Sequence, residues 1–122
     1  MKRILVIDDE QPIREYLKIM MEKTGYTALD AADGDAGLTL LAECPCDLII
    51  TDIFMPNKEG LETILELKSK YPSIKIIAIS GGGISVDDVL GMSKEFGADY
   101  SFQKPINMDG LINAVKDLIG EP

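Results

Sequence analysis

The chain has 122 residues, 46% hydrophobic and 27% charged, which suits one globular domain with one core. It contains no His, which excludes His-based general base catalysis, phosphohistidine chemistry on this chain and His metal ligands. A formal net charge of −9 argues against direct nucleic-acid binding, and no apolar stretch is long enough to span a bilayer.

Met1, Lys2 and Arg3 run straight into an apolar strand without a signal-peptide cleavage site, so the expected location is the cytoplasm. The first strand is predicted over Arg3 to Asp8. A helix follows with Ile13, Leu17, Met20 and Met21 at helical spacing, and Gly25 is its stop. Tyr26 to Ala31 reads as a second strand. Asp33-Gly34 begins a helix carrying Ala36, Leu40 and Leu41, and Pro45 ends that region. The third strand is Asp47 to Asp52, and Met55 to Lys58 reads as a loop. A third helix carries Leu61, Ile64 and Leu65 and ends at Tyr71-Pro72. Ile74 to Ile79 is apolar at nearly every position, as in a buried parallel strand. Gly81-Gly82-Gly83 then leads to Ser85, an N-cap for a helix with Val86, Val89, Leu90 and Ser93 that stops at Gly97. Asp99 to Gln103 is the fifth strand. Asn107 caps a last helix with Met108, Leu111, Ile112, Val115, Leu118 and Ile119 on one face.

Strictly alternating strands and helices predict an α/β fold: a doubly wound, five-stranded parallel sheet of flavodoxin-like order 2-1-3-4-5 with five helices, one domain over residues 1–122. Such a sheet puts the C-termini of its strands on one edge, where ligands bind. That edge would gather Asp8, Asp9, Asp52, Ser80 and Lys104. Packed carboxylates repel unless a proton or cation intervenes. Without His or a matched cysteine set, the cation should be hard and oxygen-loving, as Mg2+ is. Lys104 precedes Pro105, so a fixed turn, a cis bond included, would aim its ammonium at the carboxylates, where it suits phosphoryl oxygens. A solvated lysine and helix-capping aspartates are the bland alternative, and several strand ends of this kind together outweigh it.

Cys44 and Cys46 flank Pro45. Their spacing is not C-x-x-C, and they read as small half-buried residues rather than a redox pair. The glycine triplet matches neither phosphate-loop pattern and reads as a pliant turn.

In this order and at these strand ends, the residues resemble a response-regulator receiver domain of two-component signalling, over essentially the full length. The matching features are Asp8-Asp9, Asp52 to Pro56 with Gly60, Ser80-Gly81, Gly97-Ala98-Asp99 and Lys104-Pro105. The resemblance implies that Asp52 is the phosphoacceptor, with a sensor histidine kinase as donor. It implies Mg2+ held by Asp9 directly, Asp8 mainly through water, Asp52, and the backbone carbonyl of Phe54. Ser80 and Lys104 would contact the phosphoryl oxygens, and Pro56 and Pro105 would shape turns. The protein would catalyse only its own phosphorylation and dephosphorylation. It would signal to a downstream output protein or domain, with neither direct nucleic-acid nor membrane binding. The fourth helix, fifth strand and fifth helix would form a homodimer surface.

One position departs from the family pattern. Ser101 stands three residues before the lysine, where many members carry Tyr or Phe, while Tyr100 and Phe102 flank it. Coupling is therefore expected through Ser80, the glycine loop and the helix after it. Two rival readings fare worse. A D-x-D phosphohydrolase would need an acid where Phe54 stands, and an FMN phosphate would be repelled by Asp8-Asp9-Glu10.

Overall fold

In the computed structural model, which describes residues 2–53, 60–81 and 97–122, five parallel strands form one sheet of order β2-β1-β3-β4-β5. The strands are β1 (Arg3–Ile7), β2 (Thr27–Ala31), β3 (Leu48–Asp52), β4 (Lys75–Ser80) and β5 (Tyr100–Gln103). The described helices are α1 (Gln11–Thr24), α2 (Gly34–Glu43), α3 (Gly60–Lys70) and α4 (Met108–Ile119). The helix expected after Ser85 lies outside the described residues, as do Phe54 and Pro56. No described helix is long and apolar enough to cross a membrane.

Strand alternation divides the core in two. Leu5, Ile7, Ile49, Ile76 and Ala78 pack with Leu41 of α2 and with Ile64 and Leu67 of α3. Ile4, Val6, Leu48, Ile50, Ile77 and Ile79 pack on the other face with Leu17 and Met21 of α1 and Leu111, Ala114 and Val115 of α4. Both faces of β1, β3 and β4 are thus covered, which is why these strands read as unbroken apolar runs.

The helix ends follow their local chemistry. Asp33 accepts a bond from the Ala36 N–H at 2.8 Å, and Asn107 accepts one from the Gly110 N–H at 3.1 Å. Gly25 ends α1 with φ 114°, a conformation that favours glycine. Two of the apolar residues that marked these helices in the sequence face outward. Leu65 is 56% exposed, because α3 turns Ile64 and Leu67 inward instead. Ala36 is exposed, because α2 meets the sheet through Gly34, Gly37 and Leu41. Cys44 and Cys46 are half-buried in the α2–β3 connection, and burial pushes the Cys46 thiol up to about 11, which keeps it protonated at neutral pH.

Gly37 brings α2 close to β1: a Cβ there would lie 2.5 Å from Ile7 Cδ1. Ile7 is a buried, β-branched core residue with little room to yield. Gly37→Ala gains about 1 kcal/mol of helix propensity but incurs overpacking of about 1–3 kcal/mol. The expected balance is a lower urea midpoint with an unchanged slope. A higher midpoint would show that α2 can move off the sheet.

Candidate functional site

The sheet ladder runs on past the strand ends and pins the first residue of each site loop. Asp8 N–H donates to Ala31 O at 3.2 Å, Ile53 N–H to Ile79 O at 3.0 Å, and Lys104 N–H to Ser80 O at 2.8 Å. Three loops from one sheet edge are thereby fixed to one another before any side chain acts.

The Asp8 carboxylate folds its own loop. Its Oδ1 accepts the Glu10 N–H at 2.8 Å, a side-chain-to-backbone turn typical of Asp. Arg14 of α1 donates to the Asp8 carbonyl at 2.8 Å and pairs with Asp30 of β2 at 3.0 Å. Oδ2 of Asp8 is buried and has no hydrogen-bond partner. It lies 3.3 Å from Lys104 Nζ, a contact of charge rather than a directed bond.

Asp52 ends β3 and is 3% exposed. Lys104, one residue past β5, reaches its Oδ2 at 2.8 Å and Glu10 Oε1 at 3.0 Å. The Lys104–Pro105 peptide bond is cis. Ser80 ends β4, is buried, and donates its hydroxyl to Gly81 O at 3.3 Å. Asp9 is exposed beside Asp8. The sheet therefore brings together Asp8, Asp9, Asp52 and Lys104 and places Ser80 on the adjoining strand end. Glu10 and Arg14 join them without having been singled out in the sequence. The one available signal was the charge of the α1 N-terminal segment next to Asp8-Asp9.

The electrostatics follow from burial. Desolvation pushes the Asp8 carboxyl above the usual range; the Glu10 N–H and Lys104 oppose this, and the Asp52 charge adds to it. Burial alone would lower the Lys104 ammonium. Hydrogen bonds to Asp52 and Glu10, with the charges of Asp52 and Asp8, more than reverse it, so Lys104 stays protonated at neutral pH.

Oxygen atoms of Asp8, Asp9, Glu10 and Asp52 all lie within 4.8 Å of one another. This all-carboxylate set, with a buried unpartnered oxygen on Asp8, fits a hard divalent cation such as Mg2+. A cavity of about 490 Å³ at the opposite sheet edge is lined by Leu41, Cys46, Tyr71 and Ile74 among others, and lacks such a cluster. A smaller groove, about 270 Å³, borders the site between Ile13, Tyr16, Lys104, Pro105 and Ile106.

A model of the response regulator receiver domain matches residues 4–116. A response regulator receiver domain protein from Clostridium thermocellum superposes with a TM-score of 0.90 at 30% identity, covering 98% of this chain and 94% of that one. The response regulator protein TrrA from Thermotoga maritima, solved in complex with Mg(2+)-BeF, is 38% identical with a TM-score of 0.86, over 98% of this chain and all (100%) of that one. NtrX from Brucella abortus, in complex with ADP, gives 0.90 at 27% identity, with 98% of this chain covering 27% of that longer one.

Asp8 carries a testable cost. Its raised carboxyl means that the metal-free fold is penalised above that pKa and relieved as pH falls through it. Asp8→Asn should therefore stabilise the metal-free protein at neutral pH by about 1 kcal/mol. The gain should shrink as pH falls through the raised Asp8 pKa. Thermal melts at neutral and lower pH check this; destabilisation at neutral pH would assign Asp8 a net structural role.

Proposed function

The chain belongs to the response regulator receiver domain family, and from that premise we propose a phosphorylation-dependent switch in which Asp52 takes a phosphoryl group from a sensor histidine kinase. The observation that carries this reading is the 2.8 Å contact of Lys104 with Asp52, a buried strand-end carboxylate beside Asp8 and Asp9.

An Asp52 oxygen attacks phosphorus in line; the bond from phosphorus to the donor's imidazole nitrogen breaks, and that nitrogen keeps the electron pair. The product is an acyl phosphate on Asp52. Lys104, already protonated and within reach, is placed to neutralise charge on the transferred group. Ser80 turns its hydroxyl from Gly81 O toward a phosphoryl oxygen. Arg14 positions rather than reacts: it clamps the Asp8 carbonyl and so holds the acidic loop in place.

Mg2+ is the proposed cofactor, held by Asp9, Asp52 and, through water, Asp8, with the backbone carbonyl of Phe54 as a further ligand; bound there it would neutralise the phosphoryl oxygens. The complex of the Thermotoga maritima relative with Mg(2+)-BeF supports this assignment. Pro105 shapes the turn that follows β5, and the turn role expected of Pro56 lies outside the described residues. The protein turns over no external substrate in this reading and works in the cytoplasm as a single receiver unit of residues 1–122. Its signal passes to a downstream output protein or domain. A homodimer through the helix after Ser85, β5 and α4 belongs to the same proposal.

Incubation with acetyl phosphate and Mg2+ should add one phosphoryl group to the wild type and none to Asp52→Asn, read by intact mass. Equal labelling of the two proteins would falsify the assignment of Asp52. Chelation of Mg2+ should suppress the labelling.

A further inference from the structure

Glu10 occupies the N-cap of α1, yet its side chain makes no capping bond there. Glu is not among the residues favoured at that position. The side chain instead reaches Lys104, 94 residues away in the chain, at 3.0 Å. A lysine ammonium has three N–H donors. Its carboxylate neighbours here are Asp52 at 2.8 Å, Glu10 at 3.0 Å and Asp8 at 3.3 Å. The first is the atom group that changes in the reaction, and the last is buried and fixed in its turn. Glu10, 56% exposed, is the partner that can let go.

We propose that Glu10 tethers the Lys104 ammonium in the unphosphorylated state and so holds back phosphoryl uptake on Asp52. The inference rests on the reading of Asp52 as phosphoacceptor and deepens it. Phosphoryl oxygens need N–H donors from Lys104, and Glu10 occupies one of them. Transfer must loosen that contact or proceed with an ammonium partly neutralised. The pair is half in solvent, which keeps the tether weak enough to open.

Two measurements test this. The first is 15N NMR of the Lys104 ammonium in the metal-free protein. Glu10→Gln should speed hydrogen exchange of its N–H groups with water; an unchanged rate overturns the tether. The second is a double-mutant cycle on acetyl phosphate uptake with Mg2+, followed by intact mass in wild type, Glu10→Gln, Lys104→Ala and the double variant. Glu10→Gln should accelerate uptake about fivefold, the size of effect an exposed ion pair carries. The acceleration should fall by more than half when Lys104 is already Ala. Equal acceleration in both backgrounds would mean plain repulsion of the donor and would overturn the proposal, as would no acceleration at all. If the wild type takes up no phosphoryl group, the reading of Asp52 fails, while the ammonium spectrum still decides the tether.

Discussion

Everything at the functional edge depends on one lysine ammonium set among buried carboxylates. Asp8 and Asp52 are both buried, and the Asp52 charge raises the cost of charge on Asp8. Lys104 offsets that repulsion at the cost of its own partial desolvation. The contacts with Asp52, Glu10 and Asp8 more than offset the desolvation of the ammonium, so Lys104 stays charged in the crevice. The effect of the arrangement is on position: it holds the Lys104 ammonium and the Asp52 carboxylate at contact distance, 2.8 Å apart.

The sheet makes that placement reproducible. Lys104 and Asp52 come from strands separated by β4, so their meeting requires β3, β4 and β5 to be in fixed register. The register is set by pairs such as Asp52 with Ile79 and Ser80 with Gln103, and by ladder bonds that continue into the loops. Asp99 supports the far end of the same strands: its carboxylate accepts the Ile76 N–H at 2.8 Å and lies 3.9 Å from Lys68 of α3. Alternation on β1, β3 and β4 then seats helices on both faces, leaving the loop edge as the place where charged side chains gather.

The sequence made the strands and their ends legible because buried parallel strands are apolar runs that stop abruptly at polar residues, as at Asp8, Asp52 and Ser80. The last helix was equally plain, since Leu111 and Val115 repeat at helical spacing and are fully buried. Three things escaped. The close approach of α2 depends on Gly34 and Gly37, and a hydrophobic pattern gives glycine no weight. Leu65 looked like core because it follows Ile64, but α3 turns Thr63, Ile64 and Leu67 inward, which leaves Leu65 on the outer side. The Glu10–Lys104 contact joins residues 94 positions apart, and a glutamate next to two aspartates reads as solvated charge until the fold brings a cation to it.

The departure at Ser101 bears on how a change at Lys104 would leave the site. Tyr100 and Phe102 are two apart on β5 and so share one face, where their rings stack with centroids 6.5 Å apart and pack on the cluster formed with α1 and α4. Ser101 necessarily points to the other face. A ring at Tyr100 or Phe102 cannot substitute for one at position 101 without shifting the strand by a residue, which would turn every side chain of β5 over. The Tyr100 hydroxyl is instead bonded to Asp117 of α4, and that bond, more than burial, pushes the phenol up. In the proposed switch, the aromatic pair therefore ties β5 to α4 as a unit, one residue away from Lys104 at Gln103. Motion of Lys104 toward a phosphoryl group would act on the end of that unit, whereas relatives with an aromatic residue at the position of Ser101 can use the free rotation of a single ring.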